Sequence, residues 1–288
     1  MDTKELIKKV RKIEIKTRGL STQVFSGEYH SAFKGRGMAF AEVREYMPGD
    51  EIRTIDWNVT ARFNEPYVKV FQEERELTMM LIVDISGSSD FGTRGQLKKE
   101  LIAELCAVLA FSAAQNNDKI GVILFSSQVE LFIAPKKGRK HILRIIRELL
   151  EFQPKEKGTD LMSVLRHFNN AIKKRTIAFV ISDFNSAGNL EDVFKIVNKR
   201  HDLVALQVED PMEMELPDVG LIQLEDKETN EKIWVNTSNK NIRTKWKADA
   251  LKRNKELSQA FRKSGVDFVK IETNKPYILP LMNLFKQR

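Results

Sequence analysis

LTMMLIVDISGSS, residues 77–89, decides how the rest of this 288-residue chain is read. Met79 to Val83 and Ile85 make an apolar run rich in β-branched residues, which reads as a strand buried on both faces of a parallel sheet. The run closes on a carboxylate followed by alternating hydroxyls, Asp84, Ser86 and Ser88. In open α/β sheets ligands sit in the crevice beyond the carboxyl ends of the strands, so oxygen donors gathered at that edge point to a divalent cation. Mg²⁺ suits the donors best, with Mn²⁺ or Ca²⁺ as substitutes. It takes about six oxygens at roughly 2.0–2.1 Å, so this loop supplies only part of a shell.

Downstream, strand and helix patterns alternate. A helix from Leu97 to about Gln115 is expected to bury Leu97, Leu101, Leu105, Val108 and Leu109. Strands follow at Ile120 to Phe125 and Val129 to Ile133, then helices at His141 to Glu151 and from Leu161 to about Ala171. Thr159 and Asp160 sit in the loop that opens the latter helix. The strand Thr176 to Ile181 again ends in a hydroxyl and a carboxylate, Ser182 and Asp183. Helix Glu191 to Lys199, strand Leu203 to Val208, helix Asn241 to Lys263, strand Val266 to Ile271 and a short helix after Pro280 complete the pattern. Repeated βα alternation predicts an α/β fold, a mostly parallel sheet with helices on both faces. GLIQLEDKETNEKIWV breaks the rhythm as a hairpin inserted at about 218–236.

Upstream, Lys4 to Lys16 has the period of a basic amphipathic helix. A polar, glycine-punctuated loop follows it. The section from Phe33 to Phe71 is dotted with Gly35, Gly37, Pro48, Gly49 and Pro66, which predicts irregular β structure that the later hairpin joins as a small side subdomain. There Arg36, Glu42, Arg44, Glu45, Asp50, Arg53, Asp56 and Arg62 are expected to form an ion-paired layer around Tyr46, Trp57, Phe63 and Tyr67. The predicted organisation is therefore residues 1–76, helix and β-rich section, and residues 77–288, the α/β domain.

A composition of 42% hydrophobic and 31% charged residues supports a sizeable core. The net charge of +8 is spread among acids, and no aromatic-and-basic nucleic-acid motif occurs. A lone cysteine, Cys106, excludes an internal disulfide. With no signal-like apolar stretch near residue 1, a cytoplasmic protein is expected.

Asp84, Ser86 and Ser88, then Thr159, then Asp183 resemble the metal-ion-dependent adhesion site of von Willebrand factor A domains, with a match from about Leu77 to Ile271. Asp90 and Asp160 are expected as caps or outer partners. ISDF, residues 181–184, departs from the commoner strand end with glycine after the acid. GRGMAFAEVREYMPGDEIRTIDWNVTARFNEPYVKVFQEERE, residues 35–76, is similar to the signature block of the bacterial domain of unknown function 58 family. That resemblance implies a von Willebrand A-like (Rossmann-type) domain joined to a small β region, and a MoxR-type AAA ATPase as partner. The function expected is a non-enzymatic, Mg²⁺-dependent protein-interaction module completed by an acidic residue of the partner. The alternatives are a metal-dependent hydrolase and a basic nucleic-acid or lipid binder. Against the hydrolase, DISGS lacks a second acid two residues after the first, and no histidine adjoins these loops in sequence.

Overall fold

The computed structural model describes residues 10–14, 16–17, 38–73, 77–92, 97–156, 158–185, 190–225 and 231–288. Of the expected N-terminal helix, residues 10–14 and 16–17 are helical, and the rest of it and the loop after it lie outside the described residues. Strands β1 (Met38–Glu45) and β2 (Tyr67–Glu73) pair antiparallel around helix α1 (Trp57–Phe63). That helix was not expected in a β-prone stretch. Asp56 starts it by accepting from the backbone N–H groups of Asn58 and Val59, satisfying donors that a first turn leaves open, and it also pairs with Lys69 at 3.3 Å. Arg44 grips Asp50 through two 2.7 Å hydrogen bonds, and Met47 N donates to the same carboxylate at 2.8 Å, which closes the EYMPGD turn. The charged layer is thus partly realised, whereas its aromatic centre is not. Trp57 and Phe63 are 68% and 64% exposed, because α1 covers no core, although Phe63 stays 5.4 Å from Tyr67 between ring centroids. Arg36 lies outside the described residues.

The main sheet starts with β3 (Thr78–Asp84), followed by helix α2 (Lys98–Gln115), strands β4 (Lys119–Phe125) and β5 (Val129–Lys136), and helices α3 (Arg139–Glu151) and α4 (Leu161–Ala171). After β6 (Ile177–Ser182) come α5 (Leu190–Arg200), β7 (Asp202–Glu209) and the single turn α6 (Pro211–Met214). The hairpin strands β8 (Leu221–Glu225) and β9 (Lys232–Asn236) lead to α7 (Lys240–Ser264), β10 (Asp267–Glu272) and α8 (Ile278–Lys286). The six-stranded order is β10-β7-β6-β3-β4-β5, parallel except for the edge strand β5. This is the expected α/β, von Willebrand A-like architecture. The β8–β9 hairpin does not join the β1–β2 sheet, since each is a separate two-stranded sheet.

Both faces of the central sheet are covered. Along β3, Met79, Leu81 and Val83 enter one core with α2, α3 and α8, while Met80 and Ile82 enter the other with α4, α5 and α7. The period of two sends alternate side chains to opposite layers, so an unbroken apolar run is what such a strand requires. Two sequence expectations shift in register. Leu97 is the exposed residue before α2 rather than part of its buried face, and Lys98 is the buried one. Helix α8 begins at Ile278, ahead of Pro280, which sits in the first turn where its missing N–H costs no hydrogen bond.

Candidate metal centre

β3 is flanked by β4 on one side and by β6 on the other, so the direction of strand addition reverses beside it. Reversal opens a crevice at the carboxyl ends of β3 and β6. Asp84 is the last residue of β3, and Asp183 follows the last residue of β6. The two carboxylates are thereby brought to neighbouring strand ends by sheet topology alone.

Asp84 is 3% exposed, with Oδ1 accepting from Ser86 N at 2.9 Å and Oδ2 from Ser182 Oγ at 2.6 Å. Beyond it the chain makes a 3-10 turn, Gly87–Asp90, which sets Ser86 Oγ 3.1 Å from Ser88 Oγ. Burial, and then the negative charge of Asp183, push the Asp84 carboxyl up to about 6. Asp84, whose ionisation is opposed by burial and by the charge of Asp183, stands beside two hydroxyls in a hard-oxygen donor set that a small cation would compensate. Among the described residues no group of three or more His, Cys, Asp or Glu is placed to hold a metal, so a centre here would depend on the neutral serine and threonine oxygens as well as the two acids.

Thr159 is half-buried on the adjoining loop. Its neighbour Asp160 donates its backbone N–H to Ser126 O at 3.0 Å, directly after Phe125, the residue of β4 in register with Asp84. Asp160 itself caps α4, accepting from Ser163 N at 3.0 Å. The side chain of Asp90 lies outside the described residues.

The Asp183 turn is strained. Phe184 adopts φ 57°, in the left-handed region, and is held there by Phe184 N donating to Ser182 Oγ at 2.9 Å and by its ring, 5.1 Å from that of Phe261. This is the position where the adhesion-site resemblance would place glycine, which adopts such a backbone without steric cost. Asp183 Oδ1 accepts from Asn185 N at 3.1 Å, which leaves Oδ2 for another partner.

That partner was missed by sequence reasoning. Lys98, 1% exposed at the first position of α2, directs Nζ to Asp183 Oδ2 at 3.3 Å and to Glu213 Oε1. Burial alone would lower the lysine pKa, but Asp183 and Glu213 outweigh it and the ammonium is held above its usual value. Glu213 is in turn raised, burial outweighing the pull of Lys98. The signal was present in the helix period, because Lys98 shares a face with Leu101 and Leu105. A lysine on an otherwise buried stripe needs a buried acid. Asp183 also lines a cavity of about 320 Å³ with Asn185, Gln207, Arg253, Asn254 and Lys263.

The histidines stand apart from these contacts among the described residues. His141 Nε2 bonds Ile120 O at 2.9 Å, and His201 packs 4.5 Å from the ring of Phe168.

Comparison with known proteins places this chain in a family. The uncharacterized protein Rv1480 of Mycobacterium tuberculosis (strain ATCC 25618 / H37Rv) is 30% identical over 231 residues, spanning 80% of this chain and 73% of its own. Among solved structures, an aerotolerance-related membrane protein from Bacteroides fragilis NCTC 9343 superposes with a TM-score of 0.51 at 14% identity, over 74% of this chain and 100% of that one, a likeness of fold. The SpRpn10 VWA domain matches with a TM-score of 0.39 at 10% identity, over 74% of this chain and 95% of that domain. The model of the protein family of unknown function DUF58 matches residues 42–256, and this chain belongs to that family.

Proposed function

We propose that this protein is a metal-dependent protein-interaction module of the cytoplasm, with Asp84, Ser86, Ser88, Thr159 and Asp183 as the residues that would hold Mg²⁺. One observation carries the reading: two carboxylates meet at the switch point of the sheet, and beside them Ser86 Oγ and Ser88 Oγ stand 3.1 Å apart. When bound, the ion would offer an open coordination position to a carboxylate of the partner. Serine and threonine donors are neutral, so they leave a cation short of compensating charge and therefore receptive to an incoming acid. The half-buried Thr159 loop and the cavity beside Asp183 would supply room for that visitor. Among the described residues no helix is long and apolar enough to cross a membrane. The partner class implied by the family resemblance is a MoxR-type AAA ATPase.

The test is a melting experiment in Mg²⁺ and in chelator. A ligand at 100 times its Kd stabilises a native state by ~2.7 kcal/mol, and the wild type should show an upward shift of that order in Mg²⁺. Asp84→Ala should show none. A pull-down should then retain the ATPase in Mg²⁺ and release it in chelator. An unchanged wild-type melting curve at millimolar Mg²⁺ would end the proposal.

A further inference from the structure

Among the described residues, Lys98 brings a positive charge to the candidate site from within, and it is unusual in being almost wholly buried. Its backbone N–H donates to Phe91 O at 2.9 Å, which fixes the start of α2 to the loop after β3. From there the side chain spans to Asp183 after β6 and to Glu213 in α6 after β7. Glu213 is itself tied down, with Oε2 accepting from Asp210 N at 2.9 Å in a capping box. One ammonium thus joins the loops that follow three neighbouring parallel strands, on the same edge as Asp84.

We propose that Lys98 is a resident cation that competes with a divalent metal for Asp183, so that filling the site requires Asp183 to be shared with, or released from, the Lys98–Glu213 pair. This rests on the metal-site reading above and specifies how that site is regulated. An ammonium 3.3 Å from a carboxylate supplies part of the compensation that an incoming cation would otherwise provide, and it repels that cation through a poorly screened interior. Glu213 moderates the competition by drawing the ammonium away from Asp183. Loading the site therefore bears on α2 and α6 together, because both are anchored through the same side chain.

The two partners of the competition make predictions of opposite sign. Mn²⁺ serves as the probe, with free ion counted by electron paramagnetic resonance on the full chain. Lys98→Met should tighten Mn²⁺ binding roughly tenfold or more, because the competitor is gone. Glu213→Gln should weaken it, because the ammonium is then left to Asp183 alone. Lys99→Met, which makes the same charge change one residue along, at a side chain bonded to Phe152 O instead, should stay within about twofold of wild type. A purely structural role for Lys98 predicts weakening in both site variants, which melting curves in chelator would accompany. Equal affinity in all four proteins leaves the metal site standing and removes the competition. Absence of Mn²⁺ binding in all four, Lys98→Met included, removes the metal site itself.

Discussion

Phe184 concentrates the cost of the site in a single residue. Its φ of 57° puts a bulky side chain where an L-residue loses about 1–2 kcal/mol of backbone energy, yet the ring is 6% exposed and packs in T-shaped contact with Phe194 and Phe261. Packing outweighs strain here, since truncating a buried phenylalanine costs about 3–5 kcal/mol. The consequence is an inversion of the usual order between small residues. Phe184→Ala loses the ring and keeps the strain, whereas Phe184→Gly loses the ring and sheds the strain. Urea denaturation should rank Gly above Ala by about 1 kcal/mol, with both below wild type; Ala above Gly, the ordinary order in regular structure, would show that the turn relaxes out of the left-handed region. Sequence reading caught the departure from glycine at 184 but could not say what balanced it, because Phe261 is distant in sequence and Phe194 reaches the ring only through the packing of the helix that follows. Asp84, Ser86 and Ser88 were legible because they are local to one strand end. Lys98 was legible only as an oddity in the helix period, since its acids lie 85 and 115 positions away.

The elements were legible to different degrees for a physical reason. Each of the four inner strands of the central sheet, β7, β6, β3 and β4, is an apolar run, and each expected span agrees with the structure to within a few residues, because burial on both faces leaves little choice of composition. Helix α1 was hidden because its residues bury nothing, leaving the Asp56 cap as its main cue. Element packing also sets a limit at β4. A Cβ at Gly121 would stand 2.6 Å from Met80 Sδ and 2.7 Å from Ile133 O, at the point where the β4–β5 register shifts. The thioether can rotate aside, but the carbonyl belongs to the backbone of β5 and cannot move without the strand. Gly121→Ala should therefore lower stability by about 1–3 kcal/mol. Pairing it with Met80→Ala should not restore it, and full recovery in the double variant would place the clash on the side chain alone.

Acid stability belongs to the whole molecule, because two groups far apart in the chain act on it with opposite signs. His201 is fully buried against Phe168, and burial, then the neighbouring arginines Arg200 and Arg175, push it down to about 4 from an ordinary value near 6.5. Below pH 6.5 the unfolded chain takes up a proton there that the native state refuses until about pH 4. Its contribution is thus present above pH 6.5 and lost as pH falls through that window. Asp84, raised to about 6, does the reverse. The native state holds a proton that the unfolded chain, with a carboxyl near 3.9, has released, so its contribution is present below about pH 4 and lost as pH rises through 6. Between pH 6 and 4 the two differences in bound protons cancel, and in chelator the pair together should contribute almost no slope. Removing one group exposes the other at about 1.4 kcal/mol per pH unit at most. Asp84→Asn should lose stability more steeply than wild type on acidification across that window, and His201→Phe should gain it relative to wild type. Denaturant midpoints at half-unit intervals from pH 4 to 7 would measure both slopes. Slopes of the same sign in the two variants, relative to wild type, would mean that one of these side chains is solvated in the native protein, and the double variant should return to the wild-type profile if both are buried as described.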